Sequence, residues 1–510
     1  MTSSKKPQIL TALTSVLGDA VLQPGSTEYE KDNSSYFSAF ENEVKPSFIA
    51  KPNNVEQVQG LVRALRPYVL SGDCELAIRS GGHNPIPGSA NVQGGVTIDM
   101  RGLKGIKLSD DQSVVEIAAG EIWTPVYAEL EKYGLTVAGA RVGHIGVAGF
   151  LLGGGLSIFS SQKGFACDSV VEFQVVLASG EVVRANAEEN ADLWRSLRGG
   201  MNNFGIVTSF KMKTFKSGPI WGGLICYHPD VFEELFGLID CVCCFPQEGG
   251  YYGDHDKDTH LIYRISYGFG QKAMTSVVYH TRGEENPPQL RDFTGVESTL
   301  GLRYRWIDEM CTMRTSTQLD FCEELSNFSN DGLRQFWASI TLAHKGETGI
   351  LEDIYDEWDR TLEKLKDAEG FTFALEFHFV TKSMLENSAK AGGNAMAIPP
   401  SDGPLIIVLI NPAWSLPEDD DRIFKGIENL MALYRQWAIN DYSSSLLHPY
   451  IFANYAYKED DVFAGYGQES VSMLRETSKK YDPEGLFQRG TPGGFKLPKE
   501  SLGSDSGLFV

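Results

Sequence analysis

Hydrophobic and polar positions along the 510-residue chain follow two rhythms. Between 47 and 215, short apolar runs of strand type alternate with helix-type stretches. Glu75–Ile78, Gly95–Met100 and Ser113–Ala118 read as strands. Ile122–Tyr133 reads as a helix, because Trp123, Val126, Tyr127 and Leu130 recur at i, i+3, i+4 and i+7. Val170–Leu177 and Glu181–Asn186 are predicted to form a hairpin around Ala178-Ser-Gly180. Asp192–Leu197 is predicted to be a short helix ending at Gly199-Gly200, and Gly205–Phe215 a strand. Beyond 216 the pattern changes to long acidic amphipathic helices, Ile350–Ala368 and Asp419–Ile439. The strand-like runs Thr259–Tyr267, Phe371–Val380 and Pro404–Asn411 lie between them. At the start of the chain, Ile9–Leu22 has the spacing of an amphipathic helix. The fold class is α+β, with a first region over 1–215 and a second over 216–445, whose sheet is backed by helices. The tail, 446–510, returns to the glycine-rich, aromatic style of the first.

Composition narrows the function. With 42% hydrophobic and 22% charged residues the chain has an ordinary globular profile, but its net charge is −22. A nucleic-acid binder that tracks phosphates needs a basic footprint, so no nucleic-acid partner is expected. An anionic membrane surface is disfavoured on the same ground. No run approaches the roughly 18 apolar residues of a spanning helix, and Asp19 interrupts Ile9–Leu22, so an intracellular, cytoplasmic protein without signal peptide or membrane partner is expected. The eight cysteines include no CxxC pair. Cys241-Val-Cys-Cys244, after the helix-like Val231–Ile239, reads as buried free thiols rather than a zinc site or disulfide. Asp254-His-Asp-Lys-Asp-Thr-His260 reads as a solvated loop, so no metal is expected. Glycine is the outlier: 53 in all, 21 of them between 79 and 205.

Those glycines sit among Val, Ile and Leu, which excludes a flexible linker. A strand leading into Arg79-Ser-Gly-Gly-His-Asn84 and then Pro85, Pro87 and Gly88 offers successive backbone N–H groups suited to an anion. Val142-Gly-His-Ile-Gly-Val-Ala-Gly149 and Leu152-Gly-Gly-Gly-Leu156 leave one backbone face bare, as a flat ligand requires. Arg198-Gly-Gly-Met-Asn-Asn-Phe-Gly205 is a third such element. A dinucleotide G-x-G-x-x-G after a strand does not occur, which argues against a Rossmann NAD site.

In order along the chain, Arg79-Ser-Gly-Gly-His83, Gly146-x-x-Gly149, Leu152-Gly-Gly-Gly155, Asp192-Leu-Trp194, Gly199-Gly200 and Asn203-Phe-Gly-Ile-Val-Thr208 resemble the FAD-binding domain of the vanillyl-alcohol oxidase / p-cresol methylhydroxylase superfamily. Asn454-Tyr-Ala456, Tyr481-Asp-Pro-Glu-Gly-Leu-Phe487 and Pro492-Gly-Gly-Phe-Lys-Leu497 are similar to the C-terminal signature of its berberine-bridge-enzyme-like members, those of fungal secondary metabolism most of all. The resemblance implies a two-part FAD-binding domain of the p-cresol methylhydroxylase type, residues 1–215 and 446–510. An α+β substrate domain, 216–445, would roof the flavin with an antiparallel sheet. It implies a single covalent link from His83 to FAD. The aligned position of a second, cysteinyl link is Val142, so none is expected. Arg79, Ser80, Gly81, Gly82, Asn84, Gly88, Val142, Gly143, His144, Gly146, Gly149, Gly153, Gly154, Gly155, Gly205, Ile206, Val207 and Asn454 would complete the cofactor site, with His144 either beside the flavin or structural.

Flavin oxidation needs a hydride site and usually a base. The family often supplies a tyrosine from a Y-x-N-Y strand. Here the stretch is Phe452-Ala-Asn-Tyr455, which makes Tyr455 the candidate base, or else a residue that only packs on the ring. A phenol needs a nearby cation or hydrogen bond to serve as a base near neutral pH. On Phe371–Val380, Glu376 and His378 share a face by the two-residue period, either as a proton relay or on the solvent side. Tyr442, His448 and Tyr450 are further pocket candidates. The resemblance therefore implies an FAD-dependent oxidase of a small organic metabolite, an alcohol, amine or phenolic polyketide or alkaloid, with O₂ as acceptor giving H₂O₂. The alternative is a flavin-containing cyclase or isomerase in which FAD is structural.

Overall fold

A computed structural model describes residues 5–228, 231, 256–294, 306–343, 349–442 and 446–498. Val231–Ile239 beyond its first residue, Cys241, Cys243, Cys244, Asp254 and His255 lie outside the described residues. Cys74, Cys167, Cys226 and Cys322 are free thiols.

The N-terminal region holds two small sheets. In the first, β1 (Val21–Leu22), β2 (Phe48–Ala50), β4 (Val96–Asp99) and β3 (Leu76–Arg79) lie in that order. β2 and β3 run parallel to β4, and β1 runs antiparallel to β2. A parallel pair needs a crossover, and helix Val55–Leu70 supplies it. Asn54 caps its start by accepting from the Gln57 N–H, and Val58, Leu61, Val62, Leu65 and Val69 form its buried stripe. The second sheet is antiparallel, in the order β5 (Ile106–Leu108), β6 (Val114–Ala118), β10 (Ile206–Lys213), β8 (Val170–Val176) and β9 (Val182–Asn186). A two-stranded ribbon joins β7 (Leu135–Thr136) to β11 (Phe215–Lys216).

The third sheet has eight strands, all antiparallel. Its order is β15 (Arg314–Ser316), β12 (Ile220–Tyr227), β14 (Gln271–His280), β13 (Thr259–Gly268), β18 (Phe373–Val380), β19 (Leu405–Ile410), β17 (Ala338–Leu342) and β21 (Leu447–His448). A short ribbon pairs β16 (Arg334–Gln335) with β20 (Ala413–Trp414). Strand alternation gives the eight-stranded sheet two different faces. Leu261, Tyr263, Ile265, Leu375 and Phe377 point to the side packed by helices Ile350–Leu365 and Asp420–Gln436. Val380, Leu405 and Ile407 point the other way and join the core of the N-terminal region. That core also takes Tyr450, Leu474, Leu486 and Phe487 from the tail. The fold is thus the expected α+β architecture, with an antiparallel sheet laid over the glycine-rich region. Among the described residues no helix is long and apolar enough to cross a membrane.

Several element boundaries differ from the sequence expectation. The first helix ends at Leu17 rather than continuing to Leu22. Gly18 takes φ 57°, and Val21–Leu22 leave to pair with β2. The second long helix spans Asp420–Gln436 and then widens to a π-turn over Trp437–Tyr442. Ala453–Tyr455 is a 3₁₀ turn, not a strand, so Asn454 and Tyr455 do not alternate as strand neighbours would. The supposed solvated loop up to His260 is strand from Thr259 onward, because Thr259–Gly268 pairs along its whole length with β14.

Candidate active site

The loop after β3 is built around buried charge. The Arg79 guanidinium is buried and turned into the N-terminal segment. It donates to the carbonyls of Asp32 (2.9 Å) and Ser35 (2.6 Å) and stacks on Tyr36 at 3.5 Å. Gly82, at φ 70°, lies against that guanidinium and Tyr36. Ser80 donates to the Ala119 carbonyl (2.7 Å), and the Asn84 side chain accepts from the Ile86 N–H (2.8 Å). The anion that the Gly88 turn suggests in sequence is one of the protein's own. Buried Glu41 accepts from the N–H groups of Gly88 (3.0 Å) and Ala90 (2.7 Å) and from the Ser89 hydroxyl (2.9 Å). Burial pushes the Glu41 carboxyl up, and these three donors oppose it.

His83 leaves that loop into a cluster of rings. Phe37 stacks on it at 3.8 Å and 16°, with His144 at 4.9 Å and Trp337 at 6.4 Å. Its Nε2 is shut off from solvent and has no hydrogen-bond partner. Burial, helped by His144, lowers its pKa to about 4, so the ring is neutral at ordinary pH. His144 faces a loop from the other side of the molecule, with Ser329 Oγ at 3.1 Å and Asp331 Oδ1 at 3.6 Å. His83, His144 and Asp331 place one potential ligand atom each within 4.8 Å of one another, as do Asp256, Asp258 and His280. The sequence singled out neither set, although Asp256 and Asp258 fall in the loop read there as solvated. In the second set, Asp258 is already held by Arg282 at 2.7 Å.

The glycine runs meet each other and other side chains more than they face open space. Gly81 and Gly146 are in backbone contact: a Cβ on Gly146 would stand 2.7 Å from Gly81 Cα and 2.8 Å from Ser80 Oγ. Gly153 is crowded by the Asn454 side chain, Gly154 by Met396, Gly155 by Phe150 and Gly205 by Val175. The Gly143 N–H donates to Ser326 Oγ at 2.8 Å. Ile206 and Val207 are buried at the start of β10, and Val142 is half-buried. Gly149, by contrast, is exposed and has nothing within 4 Å of its missing Cβ. The open backbone at Gly149 and the orphaned buried nitrogen on His83 are the two features that fit a bound flat cofactor.

A second cluster lies under the large sheet. Register places Arg264 opposite Glu376 and Ile262 opposite His378, so His260, Arg264, Glu376 and His378 share the face turned away from the helices. That face is covered: His378 is 3% exposed, which removes the solvent-side reading. His378 Nε2 meets Glu376 Oε2 at 3.1 Å. Glu376 Oε1 accepts from Asn411 (3.1 Å) and lies 3.4 Å from Arg264 Nε. Burial alone would raise the Glu376 carboxyl, but Arg264, His378 and Asn411 outweigh it and hold it at about 2. His378 and His260 are both pushed down by burial, with Arg141 adding to the effect.

Tyr455 closes the cluster from its 3₁₀ turn. The Arg141 guanidinium donates to its hydroxyl at 2.7 Å, the His378 ring is 5.1 Å away, and Trp337 stands edge-on at 5.8 Å. Burial raises the Tyr455 phenol and Arg141 opposes that rise. Asn454 holds the Gly149–Gly155 segment through contacts of 3.4 Å to the Gly149 and Phe150 carbonyls and to the Gly155 N–H. Arg141, His260 and His378 line a small cavity together with Leu156, Ser157 and Ser160. Tyr442, His448 and Tyr450 turn to other partners: Asp353, Asp402 (3.0 Å) and the Met396 sulfur (3.1 Å).

Sequence reasoning missed Arg141, His260, Arg264, Asn411 and Trp337. One signal was available for Arg141: it is the only Lys, Arg, Asp or Glu between Gly139 and Gly155.

The FAD binding domain family matches residues 46–186. The chain is 33% identical over 467 residues to the FAD-dependent monooxygenase FUP4 of Fusarium proliferatum, covering 91% of this chain and 87% of that one. It is 34% identical over 442 residues to the FAD-dependent monooxygenase tpcD of Cochliobolus heterostrophus, covering 84% and 81%. The fold matches that of Physcomitrella patens BBE-like 1 with a TM-score of 0.74 at 19% identity, over 96% of this chain and all of that one. The chain therefore belongs to the family of these FAD-dependent monooxygenases, as an FAD-linked oxidoreductase, and it shares the fold of BBE-like 1.

Proposed function

We propose that the protein oxidises a small organic metabolite, an alcohol, amine or phenolic compound of secondary metabolism, with Tyr455 as the base. Residues 1–215 and 446–510 would hold FAD and residues 216–445 would cover the substrate. Bound there, FAD would supply a hydride acceptor at N5, with O₂ as the final acceptor giving H₂O₂. The observation that carries the reading is the Arg141–Tyr455 contact of 2.7 Å beside a cavity that His378 also lines. A guanidinium donating to a phenol oxygen stabilises the phenolate, which is the form that accepts a proton. Glu376, ionised throughout the ordinary pH range, fixes His378 by accepting at Nε2. His378 then has its other nitrogen, buried Nδ1, without a partner. His83 Nε2, equally without a partner, is the atom that would carry the covalent link to FAD.

The test is anaerobic mixing of the holoprotein with a panel of alcohols, amines and phenols. Bleaching of the visible flavin band with one of them, and H₂O₂ formed in equal amount when air is admitted, is the expected result. Turnover without bleaching would favour the cyclase or isomerase instead. The names of the relatives add a second reading, in which one atom of O₂ enters the product. Labelled oxygen in the product, in place of free H₂O₂, would establish it.

A further inference from the structure

The Arg141 side chain is half-buried, and among the described residues it forms no ion pair with a carboxylate, although a cation partly withdrawn from water favours an anion. Its partners are neutral groups, the Tyr455 hydroxyl at 2.7 Å and His260 Nε2 at 3.4 Å. Both histidines beside it, His260 and His378, are driven towards the neutral form, and Arg141 is one cause in each case. The nearby carboxylate, Glu376, is already matched by Arg264 and hydrogen-bonded to Asn411 and His378. One positive charge is thus left facing the polar cavity. Arg141 also lines a second, small pocket whose walls are mostly apolar, Ile158, Tyr279, Phe321 and Cys322, with Gln318 as the one neutral polar side chain. The guanidinium therefore stands between a polar chamber and an apolar one.

We infer that Arg141 is a substrate-binding residue and that the substrate presents to it an oxyanion, the conjugate base of an acidic O–H group on an unsaturated carbon skeleton. The planar fork of donors matches two oxygens, or one delocalised oxygen, better than it matches a neutral hydroxyl. A neutral ligand would leave the charge uncompensated after displacing water. The mostly apolar lining on that side suits the carbon skeleton of the ligand rather than a second charge. The inference rests on the reading of a small-molecule oxidoreductase and narrows its substrate class to phenols, enols of 1,3-dicarbonyl type, and carboxylic acids. Proton balance is simple. When Tyr455 is a phenolate, the substrate O–H gives its proton to it, and the negative charge passes from one oxygen to another beside the same guanidinium. When Tyr455 is a phenol, the substrate enters already ionised and Tyr455 donates to it.

Calorimetric titration of the holoprotein tests this without any need for turnover. Benzoate and 4-nitrophenolate probe the two sources of the anion, with benzamide and 4-nitroanisole as their neutral counterparts. At least one anion is expected to bind about tenfold or more tightly than its neutral counterpart, and the tighter of the two names the group. Arg141→Gln should weaken that anion by roughly 10- to 100-fold, and Arg141→Lys, which keeps the charge, by less. Equal binding of anion and neutral compound, no binding of either anion, or an affinity unchanged in Arg141→Gln overturns the inference. The wild-type comparison stands even if a variant fails to fold. Anion binding is read as heat and the proposed oxidation as bleaching, so either can fail while the other holds.

Discussion

A phenol buried beside a cation is pulled in two directions, and at Tyr455 burial wins over Arg141. The neutral phenol is then the resting form, and the basic form gains population as pH rises. Turnover at saturating substrate is expected to climb with pH on that account. Tyr455→Phe should lose both that limb and about 10²- to 10⁴-fold in rate, the usual share of a general base, while the flavin spectrum stays intact. An unchanged pH profile would place the proton transfer elsewhere. At His83 the expectation concerns mass: the intact denatured protein should carry the mass of one FAD, and His83→Ala should release its flavin on acid precipitation. The ring is neutral down to about pH 4, so its Nε2 lone pair is free for bonding at any cellular pH. Glu376 and His378 were legible because they obey a two-residue period on one strand. Arg141 was not, since its partners His260 and Tyr455 lie 119 and 314 residues away and no local pattern joins them.

Elements were legible where periodicity is strong. The hairpin of β8 and β9 and the strands β13, β18 and β19 fall within a few residues of expectation. Errors gathered where a backbone special overrides the pattern, as at Gly18, or where only three residues decide the conformation, as at Ala453–Tyr455. The glycine runs teach a related point. Bare backbone was read as room for a ligand, yet at Gly81 and Gly146 the close neighbour is the other loop. Gly146→Ala should therefore force two backbone segments apart and destabilise the protein by about 1–3 kcal/mol, the range for overpacking. The measurement is thermal unfolding followed through the flavin band. Gly149→Ala, with open space around it, should leave the unfolding temperature close to wild type, and any loss there would be of flavin.

At the scale of the whole molecule, the change of composition near 216 and its reversal near 446 signalled that the tail returns to the first region. Tyr450, Leu474, Leu486 and Phe487 of the tail belong to the same buried core as Leu61, Val96 and Leu197. Deleting residues 446–510 should uncover that core and give insoluble protein, assayed by the soluble fraction on expression; a soluble flavoprotein from the shortened chain would contradict it. Partner contacts across the molecule had no sequence signature. Buried Asp168 joins Arg198 at 3.0 Å and Asn394 at 2.9 Å, groups 30 and 226 residues away. The large sheet carries the wider consequence. On β13 and β18 alternate residues serve two masters, Tyr263, Ile265, Leu375 and Phe377 filling the helix-side core while His260, Arg264, Glu376 and His378 share the opposite face, where His260 and His378 line the cavity. Inserting or deleting one residue in either strand would exchange the two sets, placing charge in the core and Leu and Phe in the cavity. Lineages that change substrate are thus confined to replacing side chains within these strands. Gains and losses of length must fall in connections such as the Phe269-Gly270 turn between β13 and β14.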